Sequence, residues 1–379
     1  MKFDIALTGS DLLFGLSIAV GTTFSFLLLL VKRNNWVANR FLGLILLTIV
    51  LWMSWALAMD INLDRYFPHW SWLPWQFSLT IGPLLYFYVQ RLTQPDTRFR
   101  AGDLIHFSPL LLEQSVQLAQ IFESHQRQLP TYATTIFDQF NPVLQLLAII
   151  SVLVYLHLSL KRLKTFDYWL TEQVSDLYRY ESRWLQRLLI GFGVLWAAWI
   201  PFVLVDYFWY QYQLPIASYY PLYLLLASMT IWIGVEAFLR PELILIETPK
   251  VKPALQPPAA AQVVQQIAWL RLQLASNLFY LDASLTLSSL ADALQITAHE
   301  LSRIINVGTG KNFNDFINEY RVNEVIRKLQ DPAYHRITLL GIGYDSGFNS
   351  KTTFNRTFKQ ITGQSPLSYK NSLKKATTL

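Results

Sequence analysis

Cysteine is absent from the 379 residues, which excludes disulfides, thiolate metal ligands and a thiol nucleophile. Charge is scarce. Only 15% of residues are Asp, Glu, Lys or Arg, whereas soluble domains carry roughly 25%. The apolar share, 53%, exceeds the usual figure of about 45–50%. An ordinary soluble enzyme is therefore disfavoured. A secretory cleavage pattern is also missing: the first apolar run is too long for a signal-peptide core, and Lys2, Asp4 and Asp11 do not make a basic flank. His69, His106, His125 and His157 show no metal-ligand spacing, and no two carboxylates share a turn inside an apolar run. No catalytic residue, metal or cofactor is expected.

What the chain does contain is unevenly spread. Of its 13 Trp, all but Trp269 precede residue 240. Residues 262–379 hold 13 Lys/Arg against 8 Asp/Glu, a net of +5 out of the whole chain's +6. Two polypeptides of different character are joined, and the expected class is all-α: a seven-helix transmembrane bundle followed by a basic helical domain.

Crossing about 30 Å of hydrocarbon takes roughly 20 apolar helical residues, because backbone groups left unpaired in lipid are costly. Seven runs qualify: 12–31, 41–59, 72–89, 104–122, 142–160, 188–210 and 219–239. The third holds Gly82-Pro83 as an expected kink, and the fourth is the most polar, with His106, Glu113, Gln114 and Gln117. Alternate loops carry Lys32, Arg33 and Arg40, then Arg91, Arg98 and Arg100, then Lys161, Arg162, Lys164, Arg179, Arg183 and Arg187. The opposite side has only Lys2, Arg65 and Arg127. By the positive-inside rule the N-terminus is outside and everything after Leu239 is cytoplasmic, as in a multi-pass protein of a bacterial inner membrane. Trp70, Trp72, Trp75 and Trp209 then fall near the outer boundary.

Three segments lie between these extremes. In the fifth loop Leu170, Val174, Leu177, Trp184 and Leu188 recur at mostly helical spacing among charges. We read it as a cytoplasmic extension of the flanking helices with snorkelling Arg side chains; the competing reading is a contact surface for the basic domain. Residues 241–261 form a linker containing Pro241, Pro249, Pro253, Pro257 and Pro258. Such density favours a semi-rigid extended tether, a poor lever for a helix rotation, so signals would pass by proximity, self-association or release of a docked domain. In the fourth run Glu113 is an intramembrane carboxylate, and His106 and Gln117, at −7 and +4, share its helix face. That trio is a candidate ligand site, against the alternative of a hydrogen-bond network within the bundle. Asp206 and Glu236 are read as interfacial.

Past the tether the periodicity changes. Val263, Ile267, Leu270 and Leu274 mark a helix; Leu287, Leu290 and Leu294 mark a short second one. Thr297-x-x-Glu300 is a capping box opening a helix that buries Leu301, Ile304 and Ile305. These form a helix-turn-helix. A long helix over 313–329 follows, with Arg321 and Lys328 read as its solvent side. The pattern then repeats: Ile337–Gly343, a turn through Gly347, a cap at Asn349 or Ser350, and a helix carrying Phe354 and Phe358, stopped by Gly363 and Pro366.

The stretch 285–369 resembles the C-terminal domain of AraC/XylS-type bacterial transcription regulators. The resemblance is carried by Leu290-Ala291, Leu301-Ser302-Arg303, Gly310, Tyr320-x-x-Asn323, Gly347-Phe348-Asn349-Ser350, Phe354-Asn355-Arg356-x-Phe358-Lys359 and Gly363-Gln364-Ser365-Pro366. It implies two helix-turn-helix units joined by a long helix, each lending a recognition helix to the major groove. Gly343, where the family usually has Ala, is a departure that would leave its helix marginal. The membrane half resembles the multi-span sensor regions fused to some members.

Groove-facing residues follow from which faces are left free. The first recognition helix offers Ala298, His299, Ser302, Arg303 and Asn306; the second offers Ser350, Lys351, Thr352, Asn355, Arg356 and Lys359. Arg suits guanine, Asn suits adenine, and Lys or Thr suits phosphate or base edges. The competing reading for each is a solvated helix face, and for Arg356 a brace at the inter-helix corner. The expected function is a membrane-anchored one-component regulator. Its expected partners are double-stranded DNA, the lipid bilayer, an unidentified small-molecule or lipid ligand, a second copy as a homodimer, and RNA polymerase. Two rivals stand beside it: an integral-membrane transporter or enzyme, and a receptor whose helix-turn-helix domain docks proteins. No internal repeat supports the first, and Gly341 and Gly343 alone support the second.

Overall fold

The computed structural model describes residues 8–377 apart from 33–34, 64–65, 68–69, 71, 96, 130, 178–181, 212–213, 215 and 240–259. Most of the proline-rich linker, with Lys2, Arg33, Arg65, His69 and Arg179, lies outside the described residues. Fourteen α-helices and one isolated bridge, Val174 with Thr286, occur among those described. The chain divides into two compact units, 1–164 with 183–243 and 165–182 with 244–379.

The first unit holds α1 (Gly9–Leu30), α2 (Trp36–Asp60), α3 (Ile81–Thr93), α4 (Ser108–Arg127), most of α5 (Thr135–Gln173), α6 (Arg183–Val205) and α7 (Tyr220–Leu239). Helix α1 starts at a capping box in which Thr8 and Asp11 bond each other's backbone N–H. It packs on α2 and α7, and Ser25 donates to the Gly43 carbonyl across the α1–α2 contact (2.9 Å). Leu12, Leu13, Leu16, Phe26 and Leu30 of the same helix stay exposed. A helix apolar on both its packed and its free face suits lipid better than water.

Four helices are long and apolar enough to cross a membrane: Gly9–Leu30, Trp36–Asp60, Thr135–Gln173 and Arg183–Tyr210, the last continuing α6 through a π-helical turn. The shorter Tyr220–Glu236 is apolar as well. The other two expected runs come out differently. Residues 72–77 are not α-helical, a 3-10 turn covers Ser78–Thr80, and α3 then has 13 residues, a length of roughly 20 Å. Pro83 sits in the first turn of α3, where its missing N–H costs nothing, rather than at a mid-helix kink.

Helix α4 is turned inside out. Its buried residues are Glu113, Val116, Gln117, Gln120, Glu123 and Ser124, while Leu111, Leu112, Leu118 and Phe122 are exposed. The buried carboxylates cap neighbouring helix starts. Glu113 accepts from the Ser78 N–H (2.8 Å), the Ser78 hydroxyl (2.6 Å) and the Leu79 N–H (3.1 Å). Glu123 accepts from the N–H groups of Thr135 and Ile136, which open α5. Both place negative charge where a helix dipole is positive. Gln117 exchanges hydrogen bonds with the backbone of Gln76, whereas His106 pairs with the Tyr155 hydroxyl (2.7 Å). The polar trio therefore does not meet at one point: two of its members brace residues 76–79 and the third lies elsewhere.

The second unit contains α8 (Ala260–Asn277), α9 (Leu287–Ala293), α10 (Ala298–Thr309), α11 (Phe313–Gln330), α12 (Leu339–Asp345), α13 (Lys351–Thr362) and α14 (Pro366–Thr377), together with residues 165–182. Two apolar cores lie along α11. One gathers Leu270, Leu274, Leu290, Leu301, Ile305 and Phe316; the other gathers Val322, Val325, Ile342, Phe348, Phe354 and Phe358.

Replacing Glu113 by Ala strands two backbone donors and one hydroxyl, so the detergent-solubilised chain is expected to lose about 2–3 kcal/mol of stability. A clearly lowered thermal-unfolding midpoint is the readout; an unchanged one would reject the capping role.

Candidate nucleic-acid interface

Helices α9 to α13 begin where the sequence supplies an oxygen. Thr286, Thr297, Asn312, Thr338 and Ser350 accept from the backbone N–H three residues on, opening α9 to α13 in turn. Gly310 and Gly363 close α10 and α13 with φ of 69° and 75°. At Thr297 only the Thr half of the expected box is formed. Helix α12 forms despite its two glycines. A Cβ on Gly343 would stand 3.1 Å from the Phe354 ring, so the missing methyl lets α12 approach α13.

Helices α10 and α13 are strongly amphipathic, and their buried faces match expectation: Leu301, Ile304 and Ile305 in one, Phe354 and Phe358 in the other. On α10, His299 and Asn306 are exposed, while Ala298, Ser302 and Arg303 are half-buried. Arg303 reaches Gln266 of α8 with one guanidinium nitrogen (3.4 Å). On α13, Lys351, Thr352, Asn355, Arg356 and Lys359 are all exposed. Exposure of Arg356 argues against a bracing role. Ser350 is committed to the helix cap, since its hydroxyl accepts from the Thr353 N–H at 3.1 Å.

Arg321 and Lys328, read from sequence as solvent-facing, are buried. Arg321 is 0% exposed, and every N–H of its guanidinium points at an oxygen. Nε donates to the Tyr280 carbonyl (2.8 Å), Nη2 to the Asp282 carbonyl (2.8 Å) and the Ser175 hydroxyl (2.9 Å). Nη1 donates to the Ser175 carbonyl (3.2 Å) and the Asn318 side chain (3.4 Å). Burial pulls its pKa down to about 10, a shift opposed by Asp176 and Asp282, so it stays charged at neutral pH. Lys328 donates to the Asp345 carbonyl (2.6 Å) and lies 3.5 Å from Glu324. The expected solvent side fails because the end of α12 covers Lys328 and a third element covers Arg321.

That element is the segment 165–182. Ser175 donates its N–H and its hydroxyl to the Leu285 carbonyl, just before α9. Asn314 and Asn318 of α11 donate to the carbonyls of Val174 and Ser175. Buried Asp176 accepts from the Thr353 hydroxyl in the first turn of α13 (3.1 Å), and Glu172 accepts from Asn306 on α10 (3.1 Å). Ser182 ties back to Asp167, closing the base of the insertion. Both recognition helices are thus touched by one short acidic loop. Parts of both sequence readings are present: α5 runs on as a helical extension to Gln173, and residues 172–176 form a contact surface for α10, α11 and α13. Nothing local marked the contacts, whose partners lie more than a hundred residues away.

Gly347, at φ 89°, completes the junction. A Cβ there would lie 2.3 Å from the Tyr280 carbonyl and 3.0 Å from Arg321 Nε. Truncating Arg321 to Ala removes five hydrogen bonds and leaves the Tyr280 carbonyl without a donor, and is expected to destabilise the second unit by about 3–5 kcal/mol. Gly347→Ala should also be strongly destabilising, through overlap and a strained φ. Urea unfolding of the solubilised chain, followed at Trp269 with the other Trp residues replaced, checks both; retention of wild-type midpoints would refute the junction.

Residues 290–372 match the helix-turn-helix domain family, of AraC type. No curated protein and no solved structure matches the chain. The second unit therefore carries a DNA-binding domain of the kind found in transcription regulators, in agreement with the resemblance noted over 285–369.

Proposed function

We propose that this chain is a membrane-anchored one-component transcription regulator. Its first unit spans a bacterial inner membrane seven times with the N-terminus outside, and senses a small-molecule or lipid signal. Its second unit binds promoter DNA through α10 and α13. The four long apolar helices support anchoring, and the leucine-out, carboxylate-in arrangement of α4 supports counting it as a span although its sequence is polar.

One observation carries the regulatory reading. Residues 165–182 comprise the last turns of α5 and its link to α6, two of the apolar helices, and they are built into the DNA-binding unit, bonding both α10 and α13. A shift of α5 or α6 acts on that unit directly, without passing through the proline-rich tether. The docked loop engages Asn306, a base-reading candidate, and sets two carboxylates beside helices meant for phosphates. Release of the loop is the step that frees them. Homodimerisation and contact with RNA polymerase remain part of the proposal.

DNA selected from a random pool by the solubilised full chain should converge on a preferred sequence, with affinity falling steeply as salt rises. Arg303→Ala is expected to lose about 1–3 kcal/mol of discrimination at one base pair. Lys359→Ala should weaken all sequences alike and lower the salt slope by about one. Failure to enrich any sequence at low or high salt would favour the protein-docking alternative.

Freeing Asn306 with Glu172→Ala is expected to raise affinity for the selected site by about two- to five-fold, the scale of one exposed polar contact. Gel shifts with the full chain check it, and a loss of affinity would mean that the docked loop assists DNA binding.

A further inference from the structure

The first unit encloses a cavity of about 720 Å³. Its walls come from the end of α2, the 78–80 turn, the start of α5, the end of α6 and the start of α7. The Lys/Arg count assigns all of these ends to the outer side. The volume suits one organic molecule of moderate size.

The lining is chemically one-sided. Trp52, Trp196, Trp199, Tyr219 and Tyr223 form a continuous aromatic wall, with Trp52 and Trp199 centroids 4.9 Å apart and Trp199 and Tyr223 5.7 Å apart. Three carboxylates, Asp60, Asp138 and Asp206, face the same space, and among the described residues no Lys, Arg or His lines it. Asp206 is buried, holding the Leu214 N–H and the Tyr219 hydroxyl. Asp60 contacts the Tyr220 hydroxyl, but that hydroxyl also contacts Asp11 and has a single hydrogen to give.

Aromatic faces attract cations that shed water easily, which favours alkylated ammonium over metal ions. The carboxylates supply the opposite charge. We infer that this cavity binds an organic ammonium cation carrying an apolar body. The inference deepens the sensing role proposed above and rests on it for its biological purpose. It also moves the ligand site away from His106, Glu113 and Gln117, which already spend their hydrogen bonds inside the protein.

The same chemistry is available from a soluble amine and from a choline-type lipid headgroup. The test uses the full chain in phosphatidylglycerol nanodiscs, titrated calorimetrically with benzoylcholine and with its uncharged isostere in which carbon replaces the quaternary nitrogen. Saturable binding is expected, about tenfold tighter for the cation. Asp206→Asn should erase the preference for charge, and Trp52→Leu should weaken the cation. Thermal unfolding of each variant identifies any that fails to fold, and Trp52→Leu leaves the carboxylate network untouched. Phosphatidylcholine in the discs raises the apparent midpoint if the natural cation is a headgroup and leaves it unchanged if it is soluble. Equal affinity for cation and isostere, or no binding by folded protein, overturns the inference. DNA selection on the same discs separates that failure from failure of the regulatory reading.

Discussion

The second unit depends on one buried charge. Removing a guanidinium from water costs several kcal/mol unless its donors are all matched, and around Arg321 they are matched by oxygens from three separated stretches of chain. One of those stretches, 280–282, precedes α9, another is the inserted segment at Ser175, and the third is Asn318 on α11 itself. Because most of the acceptors are main-chain carbonyls, the requirement fixes backbone positions rather than side-chain identities. It also explains the demand for glycine at position 347, where any Cβ would intrude on the Tyr280 carbonyl that Arg321 uses. The apolar cores end at Ile317 on one side and begin at Val322 on the other, so the polar node occupies the seam between the two helix-turn-helix halves.

Much of that unit was legible beforehand. Caps, stop signals and the spacing of Leu301, Ile304, Ile305, Phe354 and Phe358 are local properties, written within a few residues of one another, and the helices follow them. The node was not legible. Along α11 the apolar stripe is satisfied by Phe316, Ile317, Val325 and Leu329, and an Arg off the stripe looks solvated until a distant loop covers it. The same blindness affected the recognition surface: Asn306 was correctly exposed, but its bond to Glu172 spans 134 residues of sequence. Gly343 misled in the other direction. Propensity alone marks it as a weakness, whereas close packing against the Phe354 ring makes it a fit.

In the first unit the polar residues obey a different logic. Where water is scarce, a carboxylate survives by meeting donors, and helix starts offer several aligned N–H groups. Glu113 and Glu123 each take such a place, which is why a helix with low apolarity can still belong to an apolar unit. Sequence periodicity recognised the polar face of α4 and left two readings, of which Glu113 and Gln117 form the hydrogen-bond network. Asp206, read as interfacial, is buried where a π-helical turn continues the end of α6, and the aromatic wall near it comes from three helices.

The DNA-binding unit is discontinuous in the chain, and this bears on how it can be taken apart. A polypeptide cut to begin after the tether would retain every residue of both helix-turn-helix halves, yet it would expose Asn314, Asn318 and Arg321 along an open slot that Val174 and Ser175 normally fill. Conversely, a protease nick within the proline-rich stretch would sever one covalent attachment and leave the other embedded through its hydrogen bonds. A faithful soluble version has to be stitched, with the inserted loop grafted ahead of α8, rather than simply trimmed.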